Sequence, residues 1–416
     1  MILVQKARDY KISLFLIIFL ITLESFYSYY LSFNIAYVLV LVVLIFQALS
    51  KIDKIKKKDF RLSNNFLIFF LIIFLLSVIS HIYYKPDIEY KFFIKTLYAL
   101  IFIYCLAISI KNENLKSILS IVLLIHSTLL IIQYISFYTL FFQIDFFNLA
   151  WGIEQKGAHL TYVRNDESLR NLLRLKRFSG LFNEPGTYCN VIGILSCLLS
   201  NFKDLNRLHK IILYISTFSL LLTFSTYGYL FFIIILISYT YNYYSKFNIK
   251  EIIKYKFSAK MTKLKKNIGF KNFIIILMIL IFFYFLQNYS FPYFYSRFFE
   301  FSYQSGLGLR LFSLIYYFNT LLNDFFLIIA GTGMINETYA YFTSNVSYDN
   351  TLLLYLYSRS GILVFFICFT LSLYFLKFDK SKLCTFTIIM LSKLSLFSPI
   401  ILFGLYTLLK NFNGKK

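Results

Sequence analysis

Apolar runs of about twenty residues recur from one end of this chain to the other, and no other feature limits its fold so tightly. A run of that length crosses the hydrocarbon of a bilayer as a helix. Inside lipid the chain must satisfy every backbone N–H and C=O by itself, which leaves only helices or closed barrels. These runs do not alternate apolar with polar residues, so helices are expected and barrel strands are not. Composition agrees: 59% hydrophobic and 21% aromatic residues against 15% charged cannot be arranged as one soluble core with a wettable surface. The expected fold class is all-α, a polytopic integral membrane protein forming a single domain over residues 1–416.

Spans are expected near 12–30, 31–50, 65–84, 92–110, 117–142, 186–202, 210–226, 229–244, 272–287, 351–377 and 383–409. The second run follows the first at once with no small-residue cleavage site between them, so the first is expected to be a retained span. Orientation follows from lysine and arginine in short loops, which stay on the cytoplasmic side. Lys51, Lys54, Lys56, Lys57, Lys58 and Arg61 mark one such loop, and the lysines between 246 and 271, opposed only by Glu251, mark another. An even number of spans separates the two, so they agree, and Lys6, Arg8 and Lys11 place the amino terminus on the same side. The net charge of +23 is mostly this topology, with some attraction to anionic headgroups. No nucleic-acid-binding module accompanies the basic run, and a nucleic-acid partner is not expected.

Two large loops, 143–185 and 288–350, then face outward. The first breaks the charge rule, because it carries Lys156, Arg164, Arg170, Arg174, Lys176 and Arg177 among Glu154, Asp166, Glu167 and Glu184. Long loops cross regardless of charge, so topology alone is one reading. The other is an anion site, since arginine forks grip phosphate bidentately. In the second loop Leu311, Leu314, Ile315, Phe318, Leu321, Leu322 and Phe325 recur at helical spacing, with Ser313, Tyr317, Asn319, Thr320, Asn323 and Asp324 on the other face. That pattern predicts an amphipathic helix over about 309–330 lying at the interface. A spanning helix there, or a split of 383–409 at Lys393 and Pro399 into a tight hairpin, are the alternatives, giving about ten to twelve spans in all.

Four short stretches carry more than topology. Arg177-Phe178-Ser179-Gly180-Leu181-Phe182-Asn183-Glu184-Pro185 enters a span; Gly306 to Arg310 opens the amphipathic segment; Gly331-Thr332-Gly333 ends it; and Asp349-Asn350 precedes a span containing Gly361. In this order they resemble the motifs of the O-antigen polymerase (Wzy) group within the O-antigen ligase and polymerase superfamily. The resemblance covers about the second half of the chain, and the first five spans match only as generic hydrophobic helices. Where ligase-type members tend to carry histidine this chain has Asp349, while His159 lies in the other loop, which favours a polymerase over a ligase.

The resemblance implies a glycosyltransferase at the outer face of the bacterial plasma membrane, with undecaprenyl-diphosphate-linked glycans as both donor and acceptor. A flippase and a chain-length regulator are implied partners, and no cofactor is implied. A diphosphate leaves an anomeric carbon, so its charge must be stabilised, and an acceptor hydroxyl must lose a proton as it attacks. Arg177 and Arg310 are the expected diphosphate clamp, with Arg164, Arg170, Arg174 and Arg297 as further members; two arginines from two loops make a metal unnecessary. Glu184 is the first candidate base and Asp349 the second. Each has a structural reading too: Glu184 as a carboxylate at the positive end of a helix, Asp349 as the N-cap of the span that follows. Asn183, Asn350, Gly180, Gly331 and Gly333 are expected to orient sugar hydroxyls or shape the loops.

Other polar residues read as structural. Glu24 and Lys95 lie close enough to span ends to snorkel, and His126 suits an interhelical hydrogen bond. Cys105, Cys189, Cys197, Cys368 and Cys384 fall in apolar runs without metal-ligand spacing, so free thiols are expected. Tyr289, Tyr293, Tyr295, Tyr339 and Tyr341 in the second loop suit stacking on sugar rings. From another class, a transporter of the same lipid-linked repeat would show internal repeats and interrupted helices; no convincing repeat is present.

Overall fold

The computed structural model describes residues 12, 14–23, 27–28, 33–49, 61–84, 91–109, 112–140, 142–151, 177–202, 204–244, 325–331, 333 and 351–410. The protein is an all-α polytopic membrane protein. Among the described residues, helices 63–82, 92–109, 114–140 and 352–375 are long and apolar enough to cross a bilayer, and four shorter apolar helices accompany them. The described helices are α1 (14–22), α2 (Ile35–Leu49), α3 (Arg61–Tyr84), α4 (Lys91–Ser109), α5 (Asn112–Leu140) and α6 (Phe146–Trp151). They continue with α7 (Pro185–Ser200), α8 (Arg207–Leu222), α9 (Thr226–Tyr244), α10 (Phe325–Ala330), α11 (Leu352–Phe378), α12 (Lys380–Leu391) and α13 (Pro399–Leu409). Between α1 and α2 the chain forms a two-residue antiparallel ladder, β1 (Tyr27–Ser28) with β2 (Phe33–Asn34), Tyr27 opposite Asn34.

Helix α3 shows how the sequence sorts its faces. Phe66, Phe70, Ile73, Ser77 and Ser80 are buried at steps of three and four residues, while Ile68, Leu71, Leu75, Ile79 and Ile82 form the opposite, exposed stripe. Both stripes are apolar because the outer one meets lipid, and the serines mark the inner one, where protein replaces lipid.

At the centre stands α7, in which every residue from Tyr188 to Ser200 is buried. Its 16 residues extend roughly 24 Å, less than the bilayer core of about 30 Å. Neighbouring helices surround it, so it need not cross lipid unaided. Small and hydroxylic side chains let those neighbours approach closely, the membrane solution to packing without a hydrophobic drive. A Cβ on Gly193 would lie 2.7 Å from the Phe231 ring of α9. Tyr188 Oη meets Ser219 Oγ at 2.6 Å, Ser196 Oγ meets Ser216 Oγ at 3.0 Å, Ser200 Oγ meets Ser238 Oγ at 2.9 Å, and Cys189 Sγ meets Thr223 Oγ1 at 3.1 Å. The five cysteines are all free thiols. His126 of α5 bonds Thr22 of α1 through Nε2 at 2.8 Å, the interhelical role expected of it.

Named contacts fix which helix ends lie together. At the lower end, where α7 finishes, Lys116 donates to Asp204 O (2.7 Å), Asn201 donates to Thr385 (2.8 Å), and the Lys380 ammonium lies 5.4 Å over the Tyr241 ring. At the upper end, where α7 begins, the Leu352 N–H donates to Ser392 O (2.7 Å) and the Lys393 ammonium lies 5.6 Å over the Tyr227 ring. The run 383–409 is therefore two helices: α12 rises to Ser392, residues 392–398 turn, and α13 descends from Pro399. Helix α11 is broken, with Gly361 at φ 68° and ψ −166°. The expected span 272–287, the basic loops near 51–60 and 246–271, and residues 309–324 of the amphipathic segment lie outside the described residues; its last turns, Phe325–Ala330, are helical.

Candidate functional site

The stretch 177–184 forms a compact turn over the top of α5 and α7, and each part of it has a physical anchor. Phe178 and Phe182 are fully buried. Phe178 packs edge-on against Tyr134 and Phe137 of α5, and Phe182 lies between His126 and the edge of Tyr188. Between them Ser179 closes the turn, its hydroxyl donating to Phe182 O (2.7 Å) and the Phe182 N–H donating back to Ser179 O (3.0 Å). Gly180 turns at φ 61°, a conformation costing other residues about 1–2 kcal/mol.

Gln133 of α5 holds this turn to the other end of the same loop. Its fully buried side-chain amide accepts the Gly180 N–H at Oε1 (2.8 Å) and donates from Nε2 to Ile144 O (3.0 Å). One amide thus ties the exit of residues 142–145 to the return at 180. Sequence reading did not single out Gln133. A buried glutamine in an apolar run was the available signal, because its two-sided amide needs both a donor and an acceptor.

The charged residues of the turn differ in their surroundings. Arg177 is half-buried, and its Nε is buried with no hydrogen-bond partner. Glu184 is exposed and stands at the N-cap of α7, yet its side chain makes no capping bond; Pro185 opens the helix at a position whose N–H would be unpaired in any case. Asn183 is half-buried beside it. The turn between α8 and α9 also faces this end. Phe224 there has φ 48°, an outlier for an aromatic residue, and its ring lies 6.4 Å from Tyr134.

A second cluster lies around the break in α11. Gly331 (φ 67°) and Gly333 (φ 84°) each take left-handed backbone after α10. A Cβ on Gly331 would fall 2.5 Å from the carbonyl carbon of Arg359. The Gly333 N–H donates to Arg359 O (2.8 Å), Arg359 Nη1 donates back to Gly333 O (3.0 Å), and Ser80 of α3 donates to Gly331 O (2.9 Å). Arg359 is 6% exposed and its guanidinium lies 5.7 Å from the Tyr355 ring centre. Sequence reading passed over Arg359 as well, although a charge inside an apolar run was its signal.

The chain therefore brings Arg177, Asn183, Glu184 and Gly180 together in one turn, and joins that turn through the α9 start, Lys393 and Ser392 to the α11 start at the same end of the bundle. Gly331 and Gly333 dock on α11 eight residues further along. Thr351 is the N-cap of α11, its hydroxyl accepting the Leu354 N–H (3.4 Å). The capping role weighed for Asp349 is thus filled by Thr351. Asp349, Asn350, Arg310, Arg164, Arg170, Arg174 and Arg297 lie outside the described residues. No group of three His, Cys, Asp or Glu side chains able to hold a metal occurs among the described residues. The 177–184 stretch carries a half-buried arginine and an exposed glutamate seven residues apart, groups suited to binding an anion and to accepting a proton. Comparison with protein-family models and with curated proteins found no match for the chain.

Proposed function

We propose that this protein is a surface-polysaccharide polymerase of the O-antigen type, joining undecaprenyl-diphosphate-linked repeat units at the outer face of the bacterial inner membrane. The observation that carries the reading is the shared address of its motif segments: the 177–184 turn and the start of α11, next in sequence to Asp349 and Asn350, sit at one end of the bundle. Lysine-rich loops assign the opposite end to the cytoplasm.

In the reaction a hydroxyl of the acceptor repeat attacks the anomeric carbon of the donor chain. The C–O bond to the diphosphate breaks, the new glycosidic bond forms, and undecaprenyl diphosphate leaves. Arg177, with Arg310 from the second loop, neutralises the departing diphosphate; Arg164, Arg170, Arg174 and Arg297 are further cations for it. Glu184 or Asp349 takes the hydroxyl proton. Glu184 suits that role because its carboxylate is exposed and spends nothing on capping α7. The proposed partners are a flippase that delivers the repeat and a chain-length regulator.

A ligase moving finished polymer to lipid A core uses the same chemistry with another acceptor. A transporter is the rival from a different class, and the break at Gly361 is one feature it would share. Deleting the gene and running surface lipopolysaccharide on a gel separates these. Loss of the ladder with a single repeat still attached to core, restored by the intact gene but not by Arg177→Ala or Glu184→Ala, is expected. Loss of all attached repeats while lipid-linked polymer accumulates would mean a ligase. Repeats trapped on the cytoplasmic side would mean a transporter, and an unchanged ladder would end the assignment.

A further inference from the structure

Gln133 is a fully buried amide on α5 whose two polar atoms both serve backbone outside that helix. Oε1 accepts the Gly180 N–H at 2.8 Å, and Nε2 donates to Ile144 O at 3.0 Å.

The aromatic contacts of the 177–184 turn are of a different kind. Phe178 packs on Tyr134, Phe137 and Tyr138, and Phe182 on His126 and Tyr188. A Cβ on Gly180 would stand 3.7 Å from His126 O and 3.8 Å from Leu130 N, so the turn lies directly on the α5 backbone. Apolar packing is non-directional: it fixes how deep the turn sits and leaves its register free to slide. A hydrogen bond fixes direction as well as distance. The Gln133 bond reaches the turn in its middle, with Arg177 three residues before Gly180 and Glu184 four residues after it. Arg177 Nε has no hydrogen-bond partner and the Glu184 carboxylate makes no capping bond, so the places of both charges depend on the backbone that carries them.

We propose that Gln133 is a positioning residue for glycosyl transfer: by bonding Gly180 and Ile144 at once, it sets the register of the 177–184 turn on α5, and with it Arg177 and Glu184. The proposal rests on the polymerase reading above, and its test separates the two. The role requires a donor and an acceptor in one side chain. Methionine has similar length but no donor and only a weak acceptor. A carboxylic acid has both while protonated, its carbonyl oxygen accepting from Gly180 and its hydroxyl donating to Ile144 O; once ionised it has no proton to donate.

The test uses the full-length protein in lipid nanodiscs, comparing wild type, Gln133→Met and Gln133→Glu across a pH series. Deuterium exchange is followed in peptides covering 177–184, and elongation of an undecaprenyl-diphosphate-linked repeat is followed in parallel. Both are expressed per folded molecule and as a ratio to wild type at each pH, which removes the titration of groups that wild type shares, Glu184 and His126 among them. Gln133→Met is expected to speed exchange of the turn roughly tenfold. It should also lower kcat by about 10²-fold, the effect of misplacing reacting groups by about 1 Å. Gln133→Glu should match wild type at the acid end of the series and fall toward the Gln133→Met value as pH rises. A purely structural role would lower folded yield and leave kcat per folded molecule unchanged, which overturns the proposal. Unchanged exchange in Gln133→Met overturns it too, as does a Gln133→Glu protein no more active than Gln133→Met at any pH. A wild type that never elongates the repeat overturns the polymerase reading instead, and exchange alone then decides whether Gln133 sets the turn.

Discussion

Gln133, Gly331 and Gly186 make the argument at the scale of single residues, because each has a distinct physical demand. Replacing Gln133 with Leu removes the amide that pairs the buried Gly180 N–H and the half-buried Ile144 O. A buried polar group that loses a partner costs about 1–3 kcal/mol, so thermal unfolding in detergent should fall below wild type. Gly331→Ala adds left-handed strain of about 1–2 kcal/mol to a collision with backbone that has no side chain to move aside, and folded yield should drop sharply. Gly186 is the internal control, since a Cβ there meets nothing within 4 Å; Gly186→Ala should stay within about 0.5 kcal/mol of wild type. These demands were only partly legible beforehand. Gly180, Gly331 and Gly333 were flagged as loop-shaping glycines, and all three have positive φ. Gln133 and Arg359 were missed because their importance depends on partners 47 and 26 residues away, which no local pattern displays.

Among elements, α7 and α11 carry the proposed site and were legible to different degrees. The apolar run predicted α7 within two residues at each end, and its small residues explain its central place. For α11 the run gave the limits but concealed the break, since glycine inside a membrane helix is common and becomes a break only when another backbone docks there. For the 383–409 run, spacing leaves a single span and a split at Lys393 and Pro399 both open, and the structure takes the split: 392–398 is held by the Leu352 N–H and the Tyr227 ring, contacts that decide between the two and that spacing does not show. The start of α11 offers a direct test. Thr351 caps it through Leu354 N–H, so Thr351→Ala should cost about 1 kcal/mol in thermal unfolding, and Thr351→Ser should recover most of it. If Asp349 were the cap, Thr351→Ala would be silent.

For the whole molecule, the account depends on two ends with different chemistry. Cations and a carboxylate occupy the end where α7 begins, and the Lys382–Asp379 ion pair (3.9 Å) with the Lys116–Asp204 bond marks the other. The proposed orientation, read from the lysine-rich loops, puts the second end in the cytoplasm. In a version whose five cysteines are replaced, Glu184→Cys should react with a membrane-impermeant maleimide in cells with a permeabilised outer membrane. Asp204→Cys should react only after the inner membrane is opened. The reverse pattern would turn the protein over and place the arginine turn where no outer-face polymerase could use it.

The central claim is that this bundle joins lipid-diphosphate-linked sugars at its upper end. Its most direct test is the purified protein in lipid vesicles, supplied only with an undecaprenyl-diphosphate-linked repeat unit from its own host. The account predicts a ladder of lipid-linked oligomers, with one undecaprenyl diphosphate released per bond formed, abolished by Arg177→Ala. Intact single repeats after incubation, in vesicles where the protein is folded and correctly oriented, would contradict it.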